Sequence, residues 1–334
     1  MDVHAPYLVF LANAHDRLAA KTGYALVDWC PERVLGQCRM DGCVADLGVR
    51  ELSPEQAAAE GARTFVIGTV SPGGALQGSW LRLLERALDA GLDVASGMHR
   101  RLADVPELVA RAELRGCRLI DLRHHDGALG VGTGQPRAGK RLLTVGTDCS
   151  IGKKYAALAL AAGLRKRGHA ADFRATGQTG ILIAGAGIAV DAVVSDFVSG
   201  AAEALSPEAD PGHWDVVEGQ GSLLHPSFAG VTLGLLQGSQ PDAFVLCHET
   251  TRTHMRNVDT PMPDPAEVIE LTIRLGRATN PSIQCVGIAL NTSGLSEAQA
   301  VAAKQALATR HALPVIDPLV DGVTPILDRL LASS

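Results

Sequence analysis

Aromatic residues make up only 4% of the chain, while apolar residues together reach 46%. The core is therefore expected to be aliphatic and alanine-rich. No CxxC pair is present. The seven cysteines, at positions 30, 38, 43, 117, 149, 247 and 285, are odd in number and scattered, which points to neither a zinc ribbon nor a redox pair. No basic block interrupts a chain of net charge −6, so neither nucleic acid nor a membrane surface is an expected partner. No apolar run approaches the ~18 residues of a membrane span, and no cationic-plus-apolar leader is visible. Together these absences lead to the expectation of a reduced, cytoplasmic protein acting on small molecules. Its cysteines are expected mostly to be small buried hydrophobes.

Strand-like apolar runs alternate with helical periods, the pattern of a parallel α/β architecture. In the first half, residues 7–12, 24–29, 64–67, 92–95 and 117–122 read as strands, with helices over 79–90 and 104–115. In the second half the expected strands are 141–145, 170–175, 215–218, 243–247, 285–290 and 313–316. The expected helices there are 153–167, 192–205, 265–278, 296–311 and 324–331. Between the halves lies a stretch rich in glycine, residues 124–139, with Gly130-x-Gly132-x-Gly134. Pro136 follows and no helix begins, so it reads as a linker and not as a dinucleotide fingerprint. Two domains are expected, 1–137 and 138–334, as suits 334 residues at roughly 150 per domain.

The stretch Gly146-Thr147-Asp148-Cys149-Ser150-Ile151-Gly152-Lys153-Lys154 follows an apolar run and opens an alanine-rich helix. Strand, polar loop and helix N-terminus in that order make a phosphate cradle. Five residues separate Gly146 from Gly152, and Lys154 stands where Ser or Thr usually ligates the Mg²⁺ of ATP. Phosphates arriving without a metal are therefore expected, and no metal-ligand set is expected. Cys149 lies near a helix N-terminus, a setting that lowers a thiol pKa. The plainer alternative is that it only lends its backbone to the loop.

Three further segments follow expected strands, where ligands of open α/β sheets bind. Glu218 ends a buried strand and begins Glu-Gly-Gln-Gly-Ser222, with His225 beyond. Phe173-Arg-Ala-Thr-Gly-Gln-Thr offers Arg174, Thr176 and Gln178 to carboxylates or carbonyls. Cys247-His-Glu-Thr-Thr-Arg gathers His248 and Arg252, with His254 and Arg256 close behind. In the first half, residues 67–76 and 95–100 are glycine-containing strand ends that either face a ligand or form tight turns.

At GTDCSIGKK and VVEGQGS the chain resembles dethiobiotin synthetase and its P-loop relatives, with Lys154 in place of the terminal Thr. A more extensive likeness runs through GTVSPGGAL, GLDVASGMH, VGTDCSIGKKYAALAL, FRATGQTGILI and DVVEGQGSLLHP. These strings resemble a bacterial family long called a domain of unknown function. The resemblance implies an N-terminal Rossmann-like domain, a C-terminal P-loop domain and the activity of a D-glutamate N-acetyltransferase. Acetyl-CoA would be the co-substrate, needing no metal, with the phosphate loop as its site.

The expectation is acetyl transfer to the α-amine of an acidic amino acid, D-glutamate foremost, by a homo-oligomer. Glu218, His225 and His248 are candidate bases, the histidines lying near neutrality. Ser222 and its turn would supply N–H donors to the thioester oxygen. Arg174, Gln178 and Arg252 would bind substrate. The alternatives are a Mg–ATP-dependent ligase or kinase of the dethiobiotin synthetase type and a non-catalytic nucleotide-binding regulator.

Overall fold

Two parallel sheets account for the alternation of apolar runs and helical periods, one in each of two compact units. The structure is a computed structural model that describes residues 2–17, 19–69, 78–124 and 127–332. The first unit comprises Met1–Asp126 and Gly177–Ala192, the second Gly127–Thr176 and Val193–Ser334. No helix among the described residues is long and apolar enough to cross a membrane.

The first unit is Rossmann-like. Its strands are β1 (Tyr7–Ala12), β2 (Val34–Arg39), β3 (Thr64–Ile67), β4 (Asp93–Ser96) and β5 (Leu119–Asp121), in the order β2-β1-β3-β4-β5. Every residue of β1 is buried, as expected for a strand covered by helices on both faces. Phe10 stacks on Phe65 of the neighbouring strand at 5.2 Å and meets Trp80 edge-on at 5.7 Å. Residues 24–29, expected as a strand, belong instead to the helix Lys21–Trp29. Its buried residues Thr22, Gly23, Ala25 and Leu26 recur at helical spacing. The second strand of this sheet is β2, over Val34–Arg39, where no strand was expected. Most of the glycine-containing stretch after β3 lies outside the described residues.

The second unit has six strands: β6 (Lys140–Gly146), β7 (Ala171–Arg174), β8 (Trp214–Val217), β9 (Ala243–His248), β10 (Gln284–Leu290) and β11 (Val315–Ile316). Their order is β11-β10-β9-β6-β8-β7, all parallel. The strand order reverses around β6, so β8 and β9 flank it. In open sheets the ligand crevice opens beyond the carboxyl ends at such a switch point.

The division between units differs from the expected boundary at 137. Residues 127–137 belong to the second unit, where Thr133 and Gly134 donate backbone N–H groups to Glu203 at 2.8 and 2.9 Å. The helix Gln178–Ala184 returns to the first unit. There Tyr7 donates its hydroxyl to Leu182 O at 3.0 Å, and Val3 N–H reaches Gly185 O at 2.9 Å.

Candidate active site

The loop after β6 is held open by backbone conformation. Ser150 and Gly152 both take left-handed φ values, 54° and 107°, and Gly152 caps the helix Lys153–Lys166. Among the described residues, no acceptor meets the backbone N–H groups of Ser150, Ile151, Gly152 or Lys153. Orphan amides at a helix N-terminus form an anion site.

The two lysines part company. Lys153 turns inward, its Nζ donating to Asp148 O at 2.7 Å. Burial pushes its pKa below the usual lysine value, against the opposing influence of Cys247, Cys149, Asp148 and Glu218. A buried ammonium whose bonded partner is a neutral carbonyl favours the arrival of an anion. Lys154 is half-buried, and its ammonium lies over the ring of Tyr155 at 4.7 Å.

Asp148 anchors the loop. Its fully buried carboxylate accepts from Cys149 N–H at 2.6 Å, Arg256 N–H at 2.8 Å and Arg252 Nη1 at 2.9 Å. Arg252 also donates to Cys149 O and Ser150 O and pairs with Glu249. Its fork is therefore engaged by the loop, and the geometry does not offer it to a substrate carboxylate. Asp148, Cys149 and His225 come close enough to suggest a metal cluster. However, three donors already meet Asp148, one of them a guanidinium, and the His225 nitrogen that faces it carries the ring proton, so this set does not suit a cation.

His225 is also engaged. Its Nδ1 accepts from Ser227 N–H at 3.1 Å, so the ring proton lies on Nε2, which donates to Arg256 O at 3.0 Å. No lone pair remains for a substrate proton. His248, at the end of β9, contacts Thr147 Oγ1 through Nδ1 at 3.0 Å. Burial pushes it down to about 4, away from the neutrality expected of it. Burial likewise raises the Cys149 thiol pKa, outweighing Lys153, where the helix N-terminus led to the opposite expectation.

Glu218 follows β8, beside the loop. One carboxylate oxygen accepts from Thr176 N–H at 3.0 Å, and Thr176 Oγ1 donates to Glu218 O at 2.7 Å. Gly219 is required here. A Cβ at that position would lie 1.6 Å from Thr144 O and 3.1 Å from Lys153 Cδ. Its N–H donates to Thr144 Oγ1, which donates in turn to Lys153 O. That amide is thus not available to a thioester oxygen. Ser222 is fully buried and donates to Thr147 O at 3.1 Å, so it supports the loop from behind.

Two expected substrate residues are engaged by other partners within their own units. Arg174 Nε bonds Asp215 at 2.6 Å and its Nη2 pairs with Asp172, while His213 completes the cluster. Asp215 lies two positions before Val217, the β-partner of Arg174. Arg174 therefore reaches back along the sheet, away from its carboxyl end. Gln178 belongs to the first unit, where its amide donates to Gly97 O at 2.6 Å and accepts from Arg123 at 3.3 Å.

Thr144 and Thr147 carry no local sequence signal, yet their hydroxyls tie the loop to Gly219 beyond β8 and to His248 at the end of β9. A cavity of about 690 Å³ beside the loop is likewise unmarked in the sequence. Ser150, Ile151, Gly152 and Tyr155 form one side. The ends of β10 and β11 and the helix Glu297–His311 form the other. A Ser296–Gln299 capping box fixes the start of that helix.

Residues 130–327 match the model of DUF1611, a P-loop domain of unknown function, and residues 37–125 match its Rossmann-like N-terminal domain. Two proteins named D-glutamate N-acetyltransferase, from Pseudoalteromonas sp and Tritonibacter scottomollicae, are each 46% identical over 331 residues. The alignments cover 99% of this chain and 100% and 99% of those proteins. The crystal structure of a DUF1611 family protein from Anabaena variabilis superposes with a TM-score of 0.84 at 32% identity, covering 98% of this chain and 100% of that one. With both halves of the family and its order of domains present, this chain belongs to the DUF1611 family.

Proposed function

We propose that this protein transfers acetyl from acetyl-CoA to the α-amine of D-glutamate. The observation that carries the reading is the loop after β6. It combines orphan amides at Ser150–Lys153 and an inward ammonium, and Lys154 stands at the position of a Mg²⁺-ligating hydroxyl. Such a loop suits a pyrophosphate bound without a metal, as in coenzyme A. The names of the two relatives at 46% identity support both the reaction and the acceptor.

In the transfer, the amine nitrogen forms a bond to the acetyl carbon while the carbon–sulfur bond breaks. The amine loses a proton, and the coenzyme A thiolate gains one. Glu218 is the proposed acceptor of the amine proton, because its carboxylate lies beside the phosphate loop. The one basic lone pair of His225, on Nδ1, is engaged, and His248, with a pKa of about 4, is a weak base. Seven free cysteines, four of them buried and raised to about 12, support a reducing, cytoplasmic setting.

The test is thiol release from acetyl-CoA with a panel of acidic D- and L-amino acids, with EDTA present. Turnover highest with D-glutamate is the expected result. Turnover only with Mg–ATP would replace this reading with a ligase or kinase, and binding without any turnover would point to a regulator.

A further inference from the structure

The cavity beside the phosphate loop has two chemically distinct parts. Its loop side begins with Ser150, Ile151 and Gly152, so whatever sits on the orphan amides is continuous with it. Its outer wall is apolar and open to solvent. Val301, Leu319 and Val320 are 46%, 62% and 75% exposed, and all three line the cavity. Large aliphatic side chains left in water around a concavity mark a place where a flat apolar group binds.

Among the described residues lining this cavity, Lys304 is the only lysine or arginine. It lies on the helix face shared by Glu297, Ala300 and Val301, the spacing that puts one stripe toward the cavity. Asp321 holds its ammonium through both carboxylate oxygens, at 2.7 and 2.6 Å, and is itself fixed by Asp317 N–H at 2.7 Å. An ammonium has three donors. Held by one carboxylate, it keeps a donor for a second anion and a fixed position from which to offer it.

The second unit therefore presents two N–H donor points for anions, the phosphate loop and the carboxylate-paired Lys304, in one cavity that also has an apolar wall and the carboxylates of Glu297, Asp317 and Asp321. ATP carries all its phosphates at one end of the nucleoside. Coenzyme A carries a pyrophosphate on one ribose carbon and a separate phosphate on another, with adenine beside them. We propose that this cavity holds the adenosine end of coenzyme A and that Lys304 binds its 3′-phosphate. The proposal rests on acetyl-CoA being the donor, and it names the residue that distinguishes that donor from nucleotides lacking the 3′-phosphate.

The experiment is a calorimetric titration of the full chain with coenzyme A and with dephospho-coenzyme A, which lacks only the 3′-phosphate. The wild-type protein is expected to prefer coenzyme A by about tenfold, the worth of one charge-assisted contact tempered by neighbouring Asp321. Lys304→Met should remove that preference by weakening coenzyme A alone, and Lys304→Arg should retain it. Equal affinity for both ligands in the wild type would overturn the proposal and leave the donor reading intact. So would a Lys304→Met variant that weakens both alike, or one that keeps the preference. If neither ligand binds the wild type, the donor reading falls and this proposal with it.

Discussion

Arg252 Nη1 donates to Asp148 Oδ2 at 2.9 Å, joining the loop beyond β9 to the loop beyond β6. The same guanidinium covers Cys149 O and Ser150 O, carbonyls that the left-handed turn at Ser150 leaves without helical partners. Arg252 thus shapes the phosphate loop from outside. Asp148 is fully buried, so removing one of its donors leaves charge uncompensated.

Arg252→Ala is therefore expected to destabilise the protein by roughly 2–4 kcal/mol. Arg252→Lys should recover only part of that, since an ammonium cannot span the carboxylate and two carbonyls together. Urea unfolding measures both. Unchanged stability together with a raised KM for the amino acid would instead make Arg252 a substrate ligand.

His248 gives the protein a pH-dependent stability. Its pKa falls from 6.5 to about 4 on folding, because burial disfavours the charged ring. The unfolded chain binds the proton more tightly, so the contribution is fully present above pH 6.5 and is lost as pH falls toward 4. By pH 5 the loss is about 2 kcal/mol. Unfolding free energies at pH 7.5 and pH 5 for the wild type and His248→Gln should show a steeper decline in the wild type. Parallel declines would mean that His248 is not the group responsible.

Cys149 is expected to take no covalent part. Burial raises its thiol pKa, and His225, a candidate base within 4.8 Å, already has both nitrogens engaged. Cys149→Ser should keep most of the activity, with initial rates indicating a ternary complex. Ping-pong kinetics and a loss of several orders of magnitude would identify an acetyl-cysteine intermediate.

The phosphate loop was legible because all its signals are local: an apolar strand, a glycine, a lysine and a helix in register. The expected strand at 141–145 and helix at 153–167 sit almost on β6 and Lys153–Lys166. Residues 24–29 were not legible, since six mixed apolar residues fit a strand or a helix equally. What settles them is packing. Gly23 lies so close to β1 that a Cβ would come within 2.9 Å of Leu11. Arg174 ends β7, and Arg252 and His225 follow β9 and β8, but residue type does not reveal a partner. Asp215, Asp148 and Arg256 claim them from 41, 104 and 31 residues away. Gln178 was grouped with Arg174 by proximity in sequence, and no local signal marks the crossing between units after Thr176.

Glu218→Gln is expected to lower kcat by roughly 10²–10⁴, the usual range for a general base, with coenzyme A affinity nearly intact. The glutamine still accepts from Thr176 N–H, so the loop should stay in place. A variant that loses coenzyme A binding would show Glu218 to be a support of the loop. A loss under tenfold would put the base on another residue.

The loop after β6 is proposed to bind a phosphate-bearing acyl donor without a metal. The decisive measurement is calorimetric titration of coenzyme A into the wild type and Lys153→Ala, in EDTA. The wild type should bind in EDTA as well as in Mg²⁺, and the variant, still folded, should bind roughly ten- to a hundredfold more weakly. Binding that requires Mg²⁺, or an unchanged Kd in a folded Lys153→Ala variant, would contradict it.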